Sequence, residues 1–356
     1  REYLRVNRFW VDDNEDEIAL LEREINHNIQ KRQKELELTI ALTNYCNFSC
    51  VYCYQNKNEK LMTTEVANMI IEKIDRILND NIFEGINIHY FGGEPLLNIP
   101  VLIYLDENIK KITDKIGIVY KAFLTTNGSM LSKELLQKVK FSSIQLTFDG
   151  LEKTHDRLRV SDHFHFKEEI ELIENIMNFS QAKVLLRTNI CKENKDEIIA
   201  LHKYIFEKFG NERIEINPNR TIKYHQDDSF EMLSVQEYAE VAYQIKLLWS
   251  EQKGKFELPV PRSTPCKFPY GNAYAISPEG YCTFCSGSMD QEKKYFFDVD
   301  IENKKMFSVR KECKKCNILP LCLGGCIIQY NLRAGACTYE KYELKNILIS
   351  YIKHIS

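Results

Sequence analysis

The chain has 356 residues, 44% of them apolar and 28% charged, with a formal net charge of −3 at pH 7. This length and apolar share allow one large domain or two with a real core, and the near-neutral charge lacks the basic footprint of a nucleic-acid binder. No run is long and apolar enough to cross a bilayer, and the opening residues lack the apolar centre of a secretory signal.

Residues 1–35 read as a short apolar stretch (Leu4, Val6, Phe9, Trp10, Val11) and then a helix from about Asp13 to Asn28, acidic in its first turn. The chain begins with Arg1 rather than methionine, so a trimmed N-terminus is expected. A strand with Leu36, Leu38, Ile40 and Leu42 in alternation then runs into Cys46-Asn-Phe-Ser-Cys50-Val-Tyr-Cys53. Thr63 is placed to cap a helix with Val66, Met69, Ile70, Ile74 and Ile77 on one face. Strands follow over 86–91, 119–126, 143–148, 184–190 and 214–219, with helices from Ser132 and from about Lys195 to Phe209. Strands alternating with helices imply a parallel sheet, and right-handed crossovers can curl it into a full or partial barrel. Polar residues and glycines gather at the strand ends, which places them on one rim.

The thiols of Cys46, Cys50 and Cys53 sit on that rim. Thiolates select iron–sulfur clusters, zinc or cuprous copper, and a structural zinc closes with four protein ligands. Three ligands in one loop leave a position open, which points to a reactive cluster. The alternative is a zinc knuckle completed by a distant ligand. Phe91-Gly92-Gly93-Glu94-Pro95 follows one strand later; its glycines let backbone approach a ligand, and Glu94 suits an ammonium. Thr147-Phe-Asp149-Gly150 leads into His155-Asp156-Arg-Leu-Arg159 after another. Beyond a polar, proline-rich linker over 253–265 come Cys266, Gly280, Cys285, Cys313, Cys316, Cys322, Cys326 and Cys337. Clustered, ligand-like spacings favour metal over disulfides in an intracellular protein, and a cytoplasmic location is the expectation.

These motifs resemble the radical S-adenosylmethionine (SAM) enzymes with a C-terminal SPASM domain, of the peptide-maturase type. The likeness spans nearly everything from Leu36 to Cys337. It implies an α/β fold: a partial (βα)6 TIM-like barrel over 36–252, preceded by the segment 1–35. A small cysteine-rich domain over 253–345 and a C-terminal helix over 346–356 would follow. Cys46, Cys50 and Cys53 would hold a 4Fe–4S cluster whose fourth iron is chelated by SAM, and reductive cleavage would give a 5′-deoxyadenosyl radical. Tyr52, Gly92, Gly93, Glu94, Thr147 and Arg159 would contact SAM; Thr147 stands where the family has serine. Cys266, Cys285 and Cys326 would serve a first auxiliary 4Fe–4S cluster, and Cys313, Cys316, Cys322 and Cys337 a second, making three clusters in all.

One departure bears on the reaction. Some relatives carry a further cysteine just before the first of the seven, and here 253–265 has none. Either Cys282 fills the gap or the first auxiliary cluster keeps an open iron. Cys282 lies three positions from Cys285 on an expected strand, so the two side chains should face opposite ways, and an open iron is favoured. A substrate thiolate bound there suits formation of a thioether between a cysteine and another residue of a ribosomally made precursor peptide. The alternatives are carbon–carbon crosslinking, epimerisation, and formylglycine formation in a sulfatase; an iron–sulfur electron carrier or zinc scaffold is the non-enzymatic one. Against formylglycine, Ser286 stands after Cys285 where that branch has an aspartate base. A reducing partner such as flavodoxin or ferredoxin is implied, and no nucleic acid or membrane. The first segment looks too short for a leader-binding domain, so leader recognition is expected on a separate protein, a trimmed segment or the barrel itself. Cys191 reads as a buried small residue, and His163 and His165 as a loop or strand edge rather than a metal pair.

Overall fold

The computed structural model describes residues 15–355 apart from 56, 81–82, 211–212, 224–228, 255–257, 271, 284, 286–293, 300–305 and 327–336. The expected N-terminal apolar stretch and Ser286 therefore lie outside the described residues. Six parallel strands appear in chain order: β1 (Glu35–Ala41), β2 (Gly85–Phe91), β3 (Val119–Thr125), β4 (Phe141–Thr147), β5 (Lys183–Ile190) and β6 (Ile214–Arg220). Each pairs with its successor. The helices are α1 (Glu17–Arg32), α2 (Thr64–Asp80), α3 (Ile99–Ile116), α4 (Lys133–Lys138), α5 (Glu152–Leu158), α6 (Phe166–Phe179), α7 (Ile198–Phe209) and α8 (Val235–Lys253). Thr63 caps α2 as expected, its hydroxyl 3.3 Å from the Val66 amide. Ser132 caps α4 in the same way.

Alternation sorts each strand into two faces. Leu36, Leu38, Ile40, Ile86, Ile88, Leu124, Ile144, Leu146, Val184 and Leu186 bury one face against Ile70, Ile74, Leu102, Leu105, Ile173, Leu201 and Ile205 of the helices. The other face is largely polar, and a cavity of about 200 Å³ is lined there by Glu37, Asn87, His89, Thr125, Gln145 and Lys267, with Phe123 and Leu185 beside them. In a filled TIM barrel that inner face is packed with branched apolar residues. Here β1 is flanked by β2 and β7 rather than by β6, so the six strands form an open arc with a polar bore.

The cysteine-rich segment continues the same sheet. A short α9 (Lys267–Tyr270) leads to β7 (Ala273–Ile276), which lies parallel to β1. It turns at Gly280 into antiparallel β8 (Tyr281–Thr283), which pairs with β9 (Lys294–Tyr295). The one-turn α10 (Leu319–Cys322) and α11 (Glu340–Ile355) complete the described chain. α11 lies along α8, with Lys246 paired to Glu343 and Arg262 to Glu340.

α1 begins at Glu17, later than expected, because Asp16 accepts from the Ala19 amide and sets the helix start there. Its apolar residues Ile25 and Ile29 pack on Phe307, Val309, Leu319 and Leu323, so the first helix covers the cysteine-rich segment. Asn26 exchanges two hydrogen bonds with the Phe307 backbone, and Glu22 accepts from the Val309 amide at 2.7 Å. Among the described residues no helix is long and apolar enough to cross a membrane.

Truncating a core strand tests this layering. Ile88→Ala, in mid-β2 and wholly buried, is expected to cost about 2–5 kcal/mol in denaturant unfolding. Val260→Ala, 81% exposed, should stay within about 0.5 kcal/mol of the parent.

Candidate active site

The cysteine loop leaves β1 and is held down by the loop that leaves β2. The Gly93 and Glu94 amides donate to the carbonyls of Thr43 and Tyr45, each at 2.8 Å. Gly92 has φ near +140°, and a Cβ on Gly92 or Gly93 would stand under 3.0 Å from the Thr43 or Tyr45 carbonyl oxygen. The paired glycines are therefore required by backbone meeting backbone. The sequence alone suggested approach to a ligand, and this second reason lies in the fold.

Glu94 is fully buried. Its oxygens accept from the Leu96 amide at 3.0 Å, the Thr126 hydroxyl at 2.6 Å and the Asn127 amide at 2.6 Å. Burial raises its pKa to about 7, and those three donors pull against the rise. A carboxylate has about four acceptor positions, so one remains for an incoming donor. Thr126 and Asn127 directly follow β3 and were not foreseen as site residues. An apolar strand ending in two hydrogen-bonding residues before a glycine was the available signal.

Cys46, Cys50 and Cys53 are all half-buried in the loop. Burial pushes the Cys46 thiol up and the Cys50 thiol up to about 12, with Arg159 opposing the rise at Cys50. The Cys46 sulfur receives the Phe48 amide at 3.4 Å and the Asn127 side-chain amide at 3.8 Å. Tyr52, between the last two cysteines, donates its hydroxyl to Asp149 and meets Phe230 edge-on. Asp149 is fully buried and also accepts from the Asn189 amide at 2.7 Å, so it ties the cysteine loop to the ends of β4 and β5.

Arg159 follows α5 and is 6% exposed, its guanidinium 5.4 Å from the centre of the Phe48 ring. Its Nε has no hydrogen-bond partner among the described residues. Burial disfavours its charge, but Glu169 first, then Tyr52, Cys50 and Asp149, hold its pKa above the ordinary range. Glu169 Oε2 lies 3.0 Å from His155 Nε2, close but not aligned as a hydrogen bond. Thr147 ends β4 and is buried. Three thiols beside a buried guanidinium with an unused donor suit a soft metal cluster next to an anion.

The remaining cysteines lie at the other end of the chain. Burial pushes the Cys266 and Cys322 thiols up, and the nearby Cys326 and Cys313 sulfurs add to the rise at Cys266 and Cys322 respectively. Cys266 and Cys313 line one cleft of about 230 Å³, and Cys326 and Cys337 another of about 330 Å³. Cys285 and Cys316 are half-buried. Cys282 is buried in the main apolar core, opposite Ile276 on β7. Cys191 is also buried, against Leu158 and Phe230. His165 precedes α6 and its amide donates to Glu168 at 3.0 Å, a helix-capping position. Among the described residues no three side chains of ligating type converge on a single-ion site.

Residues 40–205 match the profile of the radical SAM superfamily, and this stretch is a radical SAM domain. The chain is 24% identical to the radical SAM cyclopropyl synthase TigE of Paramaledivibacter caminithermalis, over 92% of this chain and 76% of that protein. Other curated relatives match over shorter stretches. The chain spans 39% of the uncharacterized Methanocaldococcus jannaschii protein MJ0907 at 34% identity, and 53% of the Helicobacter pylori GTP 3′,8-cyclase at 31%, using 32% and 50% of its own length. Among solved structures, anSMEcpe with bound AdoMet superposes with a TM-score of 0.70 at 18% identity, covering 90% of this chain and 100% of that one. Streptococcus suis SuiB bound to precursor peptide SuiA superposes at 0.60 and 17%, covering 95% and 85%. These superpositions are likenesses of fold.

Gly93→Ala tests the contact between the two loops. The added methyl is expected to destabilise the protein by about 1–3 kcal/mol and to speed hydrogen exchange at the amides of residues 93 and 94. Unchanged protection there would refute the role given to the glycines.

Proposed function

We propose that this protein is a radical SAM peptide maturase. On this reading it forms a thioether between a cysteine sulfur and a carbon of a ribosomally made precursor peptide. The observation that carries it is the three-thiol loop of a radical SAM domain facing the unused donor of buried Arg159. Cys46, Cys50 and Cys53 would hold a 4Fe–4S cluster. Together with SAM this would supply a 5′-deoxyadenosyl radical on reduction.

The chain's own residues then bind and orient. The Arg159 guanidinium takes the SAM carboxylate, a charge-assisted contact. The free acceptor position of Glu94 and the backbone beside Gly92 and Gly93 take the ammonium. Thr147 offers its hydroxyl from the end of β4, and Tyr52, fixed by Asp149, lies beside the adenine. The polar bore suits a peptide, whose main-chain amides need partners once water is displaced.

The cysteine-rich segment is read as a SPASM domain. Cys266, Cys285 and Cys326 serve one auxiliary 4Fe–4S cluster; Cys313, Cys316, Cys322 and Cys337 serve another. Burial of Cys282 in the apolar core supports three cysteines at the first of these, with an iron left for a substrate thiolate. A flavodoxin or ferredoxin would supply electrons, and a separate protein, a trimmed segment or the barrel itself would hold the leader. A second reading, carbon–carbon bond formation, is favoured by the likeness to a protein named cyclopropyl synthase over 92% of this chain.

Anaerobically reconstituted protein is expected to carry roughly twelve irons per chain, as three such clusters require, and to release 5′-deoxyadenosine from SAM when reduced. Replacing Cys46, Cys50 and Cys53 by alanine should abolish that release; persistence would overturn the enzyme reading. Arg159→Lys should weaken SAM binding roughly 10- to 150-fold, the range of a lost hydrogen bond to a charged group. Mass spectrometry of the co-expressed peptide separates the two bond types. A loss of two hydrogens with a thiol that no longer alkylates supports the thioether, and the same loss with a free thiol supports the carbon–carbon link.

A further inference from the structure

Asn127 stands between the two halves of the site. Its backbone amide donates to Glu94 Oε2 at 2.6 Å, and its side-chain Nδ2 points at the Cys46 sulfur from 3.8 Å. The orientation of that side chain is set by its neighbours. Oδ1 accepts from both the amide and the hydroxyl of Ser129, at 3.0 and 2.7 Å. Nδ2 donates to Asn47 Oδ1 at 2.8 Å. A flipped amide would set its oxygen against the Asn47 oxygen and its NH2 against the Ser129 amide, which can only donate. The donor end is therefore committed to the cysteine loop, and the side chain is buried.

The Phe48 amide also donates to the Cys46 sulfur, at 3.4 Å. Cys46 thus has two donors where the structure gives Cys50 and Cys53 none among the described residues. The backbone donor comes with the turn of the loop. The Asn127 donor comes from the loop after β3, a separate segment, and can be removed without altering the cysteine loop's own chain.

We propose that Asn127 is a positioning residue that tunes the cluster on Cys46, Cys50 and Cys53. By donating an N–H···S hydrogen bond to Cys46 it raises the cluster's reduction potential. The inference rests on those three cysteines being the cluster ligands. Its physical basis is that the reduced cluster carries one more negative charge than the oxidised one. The positive end of a fixed amide dipole stabilises the reduced form more, and hydrogen bonds to cluster sulfurs are one of the levers on potential. The backbone amide of the same residue holds Glu94, so the electron-accepting and SAM-binding parts share one anchor.

The test is a potentiometric EPR titration of reconstituted Asn127→Leu and Asn127→Asp, with iron content measured alongside. Leucine removes the donor, and aspartate sets a carboxylate oxygen in its place. The potential is expected to fall in both, further in the aspartate variant. Ser129→Ala, which frees one side of the amide, should give a smaller shift in the same direction. Clusters present at wild-type potential in the Asn127 variants would overturn the proposal. Should neither variant hold a cluster, the parent protein decides: with δ-15N-asparagine incorporated, the reduced cluster must show a nitrogen coupling in pulsed EPR, and its absence overturns the proposal. Parent protein that assembles no cluster would instead strike at the reading of the three cysteines.

Discussion

Two amide-to-carbonyl hydrogen bonds, Gly93 to Thr43 and Glu94 to Tyr45, hold the rest of the site in place. They lock the loop after β2 beneath the loop after β1, and they form only because neither residue 92 nor residue 93 has a side chain in the way. From that contact Glu94 is fixed, from Glu94 the end of β3 through Thr126 and Asn127, and from Asn127 the sulfur of Cys46. The far side is tied by a second chain, Tyr52 to Asp149 and Asp149 to the Asn189 amide of β5. The ends of β1 to β5 are thereby joined into one rim, with Val51 and Tyr52 of the cysteine loop packed on Leu158, Cys191 and Phe230.

Such a rim needs a stiff frame, and the frame is built opposite to an ordinary barrel. The apolar side chains of β1–β5 turn outward to the helices, while the inner face carries Glu37, Asn87, His89, Thr125 and Gln145. Burial pushes the His89 pKa down to about 4, with Lys267 adding to the effect, so the imidazole is neutral there. Glu37 is neutralised by Arg32 of α1 at 3.0 Å and Lys267 of α9 at 2.6 Å. One of those cations precedes β1 and the other follows β6. Lys267 follows Cys266 directly, so the ion pair fastens the start of the cysteine-rich segment to the floor of the bore. A polar cavity closed this way is held open by charge pairing rather than filled by packing.

The strands were legible because their pattern is local. Alternation at Leu36–Leu42 and Ile86–Tyr90 marks a half-buried parallel strand whatever surrounds it. The cap at Thr63 was legible for the same reason. β4 begins at Phe141, two residues before the alternation suggests, because Phe141 pairs with Ala122 across a register shift in β3. The docking of α1 on Phe307 and Val309 was not legible, since nothing in an amphipathic helix names its partner nearly 300 residues on. Nor was the continuity of β1 with β7: Ala273–Ile276 is a four-residue apolar run that reads equally as part of any small domain. At the site, the cysteines and Arg159 stood out by residue type. Asn127 and Asp149 did not, because their roles come from which groups they bridge.

Electrostatics then explains why the site must be completed rather than merely occupied. Asp149 and the thiols of Cys46 and Cys50 are all pushed toward their neutral forms by burial, and Glu94 titrates near 7. Arg159 is the buried cation among them, with a donor unused. On the proposed reading, a metal held here would release the protons of Cys46 and Cys50, as metal binding to cysteines does generally. Each thiolate formed adds negative charge beside Glu94 and Asp149. The positive charge of a metal, with Arg159 nearby, would offset the charge of those thiolates. On the proposed reading loading would be cooperative by charge, the ligands ionising together with the arrival of the metal.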